Sequence, residues 1–100
     1  MIEADVKNLK QGFWALGNET RLRIILALPY GGVELHANLI GRILGLKQST
    51  CAKHLRILSS AGVLSEERAG QYVNYRVNQD RLKELRNFIE GRIPSQVERT

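Results

Sequence analysis

Between Leu39 and Leu58 two helical patterns meet at a glycine, and no other stretch restricts the fold of this chain so tightly. In the first, Leu39, Ile40, Ile43 and Leu44 recur at the spacing of one helix face, which predicts a helix over 36–44. In the second, Cys51, Leu55 and Leu58 form one apolar stripe. That helix starts near Lys47 or Ser49 and closes at Ala61-Gly62. Gly45, between them, supplies the left-handed backbone of a tight turn. Two amphipathic helices joined this way read as a helix-turn-helix.

The flanks complete the architecture. Val6, Leu9, Phe13 and Leu16 predict an amphipathic first helix ending near Gly17. Asn18 is the expected N-cap of a second helix, with Glu19 in its first turn and Leu22, Ile25 and Leu26 on its inward side. Pro29-Tyr30-Gly31-Gly32 stops it, and Val33-Glu34-Leu35 reads as a short strand. After Gly62 the period changes to alternation: Val63 to Glu67 and Tyr72 to Val77 are strands, with Ala69-Gly70-Gln71 as a hairpin tip. Tyr75 is expected to pack inward. A last helix over 79–91 carries Leu82, Leu85, Phe88 and Ile89. The fold class is therefore mainly α with a β wing: a winged helix-turn-helix of about five helices and a two-stranded hairpin. Residues 1–92 form one domain, and 93–100 a flexible tail.

Composition narrows the function. One hundred residues, 43% hydrophobic and 25% charged, suit one globular domain. No apolar run approaches the roughly 20 residues of a membrane helix, and the N-terminus does not resemble a signal peptide, so the cytoplasm is expected. The single cysteine, Cys51, excludes an intramolecular disulfide and a cysteine-rich zinc ribbon. Fifteen Lys and Arg against ten Asp and Glu leave a net charge of +5, compatible with a polyanionic partner.

With Cys51, Leu55 and Leu58 turned inward, the second helix of the motif presents Gln48, Ser49, Ala52, Lys53 and Arg56 outward. Gln suits adenine edges, while Arg and Lys suit guanine or phosphate. Ser49 and Thr50 either touch phosphate at the helix N-terminus or cap the helix, and Lys47 at the turn meets the DNA backbone. At the hairpin tip, Arg68 and Gln71 reach phosphate or the minor groove, or remain ordinary solvated groups. Arg76 serves phosphate or pairs with an acidic neighbour.

The chain also resembles the ArsR/SmtB family of small bacterial and archaeal transcriptional repressors. The resemblance runs in order through Phe13-Trp14-Ala15-Leu16-Gly17-Asn18-Glu19-Thr20-Arg21-Leu22-Arg23-Ile24-Ile25, Leu44-Gly45-Leu46-Lys47-Gln48-Ser49-Thr50 and His54-Leu55-Arg56-Ile57-Leu58. It continues through Ala61-Gly62-Val63-Leu64 to Gly70-Gln71-Tyr72-Val73-Asn74-Tyr75-Arg76-Val77. It implies a homodimer on a near-palindromic, double-stranded operator, released by an inducer. The first and last helices would form the interface through Leu9, Phe13, Trp14, Leu85, Phe88 and Ile89, unless those side chains complete the protomer core.

The same resemblance argues against metal sensing. The places of the family's Cys-x-Cys site are His36 and Asn38 here, and an Asn amide is a poor ligand for soft metals. The family's site on the last helix keeps Asp80 but has Leu82 in place of its His. No metal and no cofactor are therefore expected, and the inducer is unidentified. His36 with Glu34 is a weak alternative site. His54 reads as a packed histidine and Cys51 as a small core residue. No Ser/His/Asp, paired-carboxylate or phosphate-loop arrangement suggests an enzyme. The rival reading is a winged-helix protein-interaction or assembly module that binds no specific DNA.

Overall fold

Helix ends leave backbone N–H and C=O groups without partners, and this chain meets many of them with side chains. The computed structural model describes residues 3–28 and 35–91. Its elements are α1 (Glu3–Leu16), α2 (Glu19–Ala27), β1 (Leu35–His36), α3 (Ala37–Leu44), α4 (Gln48–Ser60), β2 (Leu64–Ala69), β3 (Tyr72–Val77) and α5 (Gln79–Ile89). Asn18 Oδ1 accepts from Arg21 N at 3.0 Å to start α2, as expected. His36 Nδ1 accepts from Leu39 N for α3, and Asn78 Oδ1 from Arg81 N for α5, each at 3.3 Å. Gly45, at φ 67°, closes α3 in the left-handed region.

The hairpin is antiparallel and its last pair is Ala69 with Tyr72, leaving Gly70-Gln71 as the loop. β1 adds a third strand, in the order β1-β3-β2, with Leu35 opposite Tyr75 and His36 opposite Asn74. Val33 and Glu34, expected in that strand, lie outside the described residues, as do Pro29-Tyr30-Gly31-Gly32 and the tail. Pairing puts Leu64, Glu66 and Arg68 on the sheet face of Val77, Tyr75 and Val73. Leu64 and Val77 are buried in the core, and the half-buried Tyr75 packs against it.

That core joins Ala15, Ile24, Ile25, Leu28, Ile40, Leu55, Leu58, Ala61 and Val63 to the two strands. α2 buries a different face from the one its apolar periodicity predicts, and α1 and α3 keep the expected side inward except at Val6 and Ile43. In α2 the inward residues are Arg21, Ile24 and Ile25, while Leu22 and Leu26 are 46% and 80% exposed. The cause is Arg21, whose guanidinium is drawn inward to the end of α1. In α1 the buried residues are Gly12 and Ala15, with Leu9, Phe13 and Leu16 half-buried and Val6 exposed. Small residues let α5 approach: a Cβ on Gly12 would stand 2.9 Å from Leu85 Cδ2. In α3, Ile40 and Gly41 are buried but Ile43 is 54% exposed. Gly41 faces the turn and α4, where a Cβ would meet Leu46 O at 3.4 Å and Cys51 Cβ at 3.7 Å.

Candidate nucleic-acid interface

α4 is anchored from one side. Cys51, Leu55 and Leu58 are at most 1% exposed, so their stripe is fixed in the core. Gln48, Ser49, Thr50, Ala52, Lys53 and Arg56 are all exposed, and so is Lys47 in the turn. Gln48, Ala52 and Arg56 stand four residues apart and therefore form one row along the helix. Lys47, Lys53 and Arg56 make no salt bridge among the described residues, which leaves their charges for an outside partner.

The start of α4 is distinctive. Lys47 occupies the N-cap position and no side chain caps the helix. The first bond of the helix runs from Cys51 N to Lys47 O at 2.9 Å, so the N–H groups of the first turn remain without intrahelical partners. Ser49 and Thr50 hydroxyls therefore do not cap, and donors and helix dipole face outward beside Lys47. Such a terminus favours phosphate oxygens.

Arg68 and Gln71 are exposed at the wing, on opposite sides of Gly70. Arg68 shares the sheet face of Tyr75, the face turned to the core. Burial pushes the Tyr75 phenol above its ordinary pKa, and the Glu66 carboxylate adds to this while Arg56 opposes it. Arg76 is exposed and pairs in register with Ser65.

Behind the surface, α4 is tied to the rest of the chain by a buried cation. Arg21 Nε donates to Ala15 O at 2.6 Å and its Nη2 to Trp14 O at 3.3 Å, satisfying the last carbonyls of α1. Its Nη1 lies 3.3 Å from His54 Nδ1, and its guanidinium covers the Trp14 ring at 4.9 Å. Because Arg can only donate, His54 Nδ1 is the acceptor and the imidazole is neutral. Burial, then Arg21 and Lys53, hold the His54 pKa below its usual value. Arg81 plays a matching part, donating to Ala61 O at 2.9 Å and Asn8 O at 2.7 Å, which joins α5 to α4 and α1. Sequence periodicity missed both arginines, since it counts Arg as a surface residue.

The candidate sensing positions are occupied by structural contacts. His36 caps α3 and its ring stands 5.2 Å from that of Tyr72. Asn38 Oδ1 accepts from Gln48 Nε2 at 3.4 Å. Cys51 is buried with Sγ 3.7 Å from Ala37 O, and burial raises its pKa, which disfavours the reactive thiolate. Asp80 is exposed on α5 beside a half-buried Leu82. Among the described residues no three His, Cys, Asp or Glu side chains come together to hold a metal, and no helix is long and apolar enough to cross a membrane.

The terminal helices carry an open apolar surface. Phe13 and Phe88 pack with ring centroids 5.8 Å apart, Leu9 is half-buried, and Ile89 is 71% exposed. One expected interface residue differs. Leu85 is 3% exposed inside the protomer, because Gly12 gives it a seat against α1. Trp14 is 57% exposed but engages Arg21 of α2, whereas its neighbour Phe13 engages α5. Adjacent helix positions point about 100° apart, so these two aromatics leave α1 in different directions.

Residues 16–67, from the end of α1 into β2, match the protein family described as helix-turn-helix domain. The transcriptional repressor SdpR of Bacillus subtilis (strain 168) is 36% identical over 81 residues, covering 77% of this chain and 88% of SdpR. An ArsR-like transcriptional regulator from Rhodococcus sp. RHA1 is 26% identical and superposes with a TM-score of 0.77, over 87% of this chain and 80% of that one. A homodimeric winged helix-turn-helix DNA-binding domain from Mycobacterium bovis, solved in solution, has the same fold, with a TM-score of 0.73 at 23% identity. That likeness covers 97% of this chain and 91% of the other.

Proposed function

This chain belongs to the ArsR family of helix-turn-helix transcriptional regulators, and we propose that it represses transcription as a homodimer bound to a near-palindromic operator. The observation that carries this reading is the exposed row on α4, with its uncapped first turn and cations that have no salt-bridge partner among the described residues. Gln48, Ala52 and Arg56 meet base edges in the major groove, while Lys47, Ser49, Thr50 and Lys53 meet phosphate. Arg68 and Gln71 bring the wing to the flanking backbone or minor groove. The repressor role is supported by the name of SdpR, and the dimer by the Mycobacterium bovis domain together with the open surface of Leu9, Phe13, Phe88 and Ile89. In that dimer the two α4 helices lie about 34 Å apart, one DNA turn, and each reads a half-site.

The protein acts by binding, without catalysis, in the cytoplasm, and its release signal is something other than a metal held at the family's usual places. Footprinting on the DNA upstream of its own gene at physiological salt tests the reading. A protected inverted repeat is expected, and absence of protection on any specific sequence would overturn it in favour of a protein-interaction module. Zinc, cadmium and arsenite are each expected to leave the footprint in place; loss of protection with any one of them would refute the metal-independent release.

A further inference from the structure

We propose that Asn38 is a positioning residue that sets which way the Gln48 side-chain amide faces, and so which base Gln48 prefers. The proposal rests on the reading of Gln48 as a base contact. Among the described residues, the bond from Gln48 Nε2 to Asn38 Oδ1 is the one side-chain hydrogen bond made from the exposed row of α4. It crosses the helix-turn-helix from the first turn of α3 to the first residue of α4.

The frame around that bond is rigid. Leu46 N donates to Gly41 O at 2.8 Å, and Cys51 Sγ lies 3.7 Å from Ala37 O, so the start of α4 is held against α3 on both sides of Gln48. His36 caps α3 two residues before Asn38, in the turn that carries it. Both side chains are exposed, but Asn38 is shorter by one methylene and loses less rotamer freedom, so it anchors the pair.

The consequence for readout is chemical. A free glutamine amide turns over easily, exchanging its donor and its acceptor. Those two orientations favour different base edges. When Nε2 gives one hydrogen to Asn38, its second hydrogen and Oε1 remain, the set that pairs with N7 and N6 of adenine. The bond thus keeps the reading groups free while choosing their order.

The test uses the full-length protein and a library of DNA duplexes with a randomised core, sequenced after binding. Gln48→Ala identifies the base position that Gln48 reads. Asn38→Ala is expected to lower the preference at that same position by about three- to tenfold, and the double variant to match Gln48→Ala alone. Asn38→Asp keeps an acceptor, so it is expected to retain the preference at that position, although its charge weakens binding to every sequence. Thermal melting confirms that the variants are folded, and Asn38→Leu, which also lacks an acceptor and is expected to show the same loss, takes the place of Asn38→Ala if that variant does not fold. An unchanged profile in Asn38→Ala, relaxation at a different position, or loss of the preference in Asn38→Asp would each overturn the proposal. An unchanged profile in Gln48→Ala would instead remove Gln48 as a base reader, and this proposal with it.

Discussion

Arg21 closes the C-terminus of α1 and holds His54 of α4 in one neutral state. The His54 imidazole accepts at Nδ1 from Arg21, and its pKa in the folded chain lies below the ordinary 6.5. Below that pH the unfolded chain takes up a proton that the folded chain resists. The stability linked to this lowered pKa, caused first by burial and then by Arg21 and Lys53, is therefore present above pH 6.5 and is lost as the pH falls from there toward the folded value. Urea midpoints measured at about pH 7.5 and about pH 5.5 are expected to show a fall, smaller in His54→Gln, which keeps an acceptor without titrating. An identical fall in that variant would show that His54 titration is not responsible. Gly45 makes a second residue-scale case. Its φ is 67° and nothing lies within 4 Å of a Cβ placed there. Gly45→Ala is therefore expected to cost roughly 1–2 kcal/mol through backbone strain alone, read from urea unfolding. A neutral substitution would mean that the turn relaxes.

At the scale of the element, α4 separates its two tasks by face, and substitutions on the exposed face are expected to alter binding while leaving the fold intact. Arg56→Ala is expected to weaken operator binding by about 1–3 kcal/mol and to relax specificity at one base. Lys53→Ala is expected to weaken binding evenly across sequences and to reduce the salt slope by about 1. Titrations at several salt concentrations distinguish the two, and a uniform loss in Arg56→Ala would move that residue to the phosphate group. The helix itself was legible in the sequence, because Cys51, Leu55 and Leu58 leave no other stripe to bury. α2 was less so. Leu22, Ile24, Ile25, Leu26 and Leu28 offer more than one apolar face, and the choice between them falls to Arg21, which must reach Ala15 O.

For the molecule as a whole, the open apolar surface of the terminal helices is the feature that points beyond a single protomer. Ile89 is 71% exposed and does not belong to the core, so Ile89→Lys tests the dimer without emptying the interior. It is expected to shift the protein to a monomer in sedimentation while its circular dichroism stays helical, and to weaken operator binding as the two half-sites uncouple. A variant that remains dimeric would move the interface away from this end of α5. Leu85 is unsuited to the same test, since it seats α5 on Gly12 and its loss would disturb the fold.

The order of elements, the glycine turn, the Asn18 cap and the outward face of α4 followed from the sequence alone. Each depends on chemistry within a few residues: the helical period, a side chain short enough to cap, or a backbone angle that suits glycine. The tertiary structure decided what depends on partners distant in the chain. It rotated α2 about Arg21, buried Arg81 between three helices, placed Leu85 inside rather than at the interface, and joined Asn38 to Gln48 across the turn. Periodicity places a residue on a face, but only packed neighbours supply the carbonyls that draw a guanidinium inward or the acceptor that orients an amide.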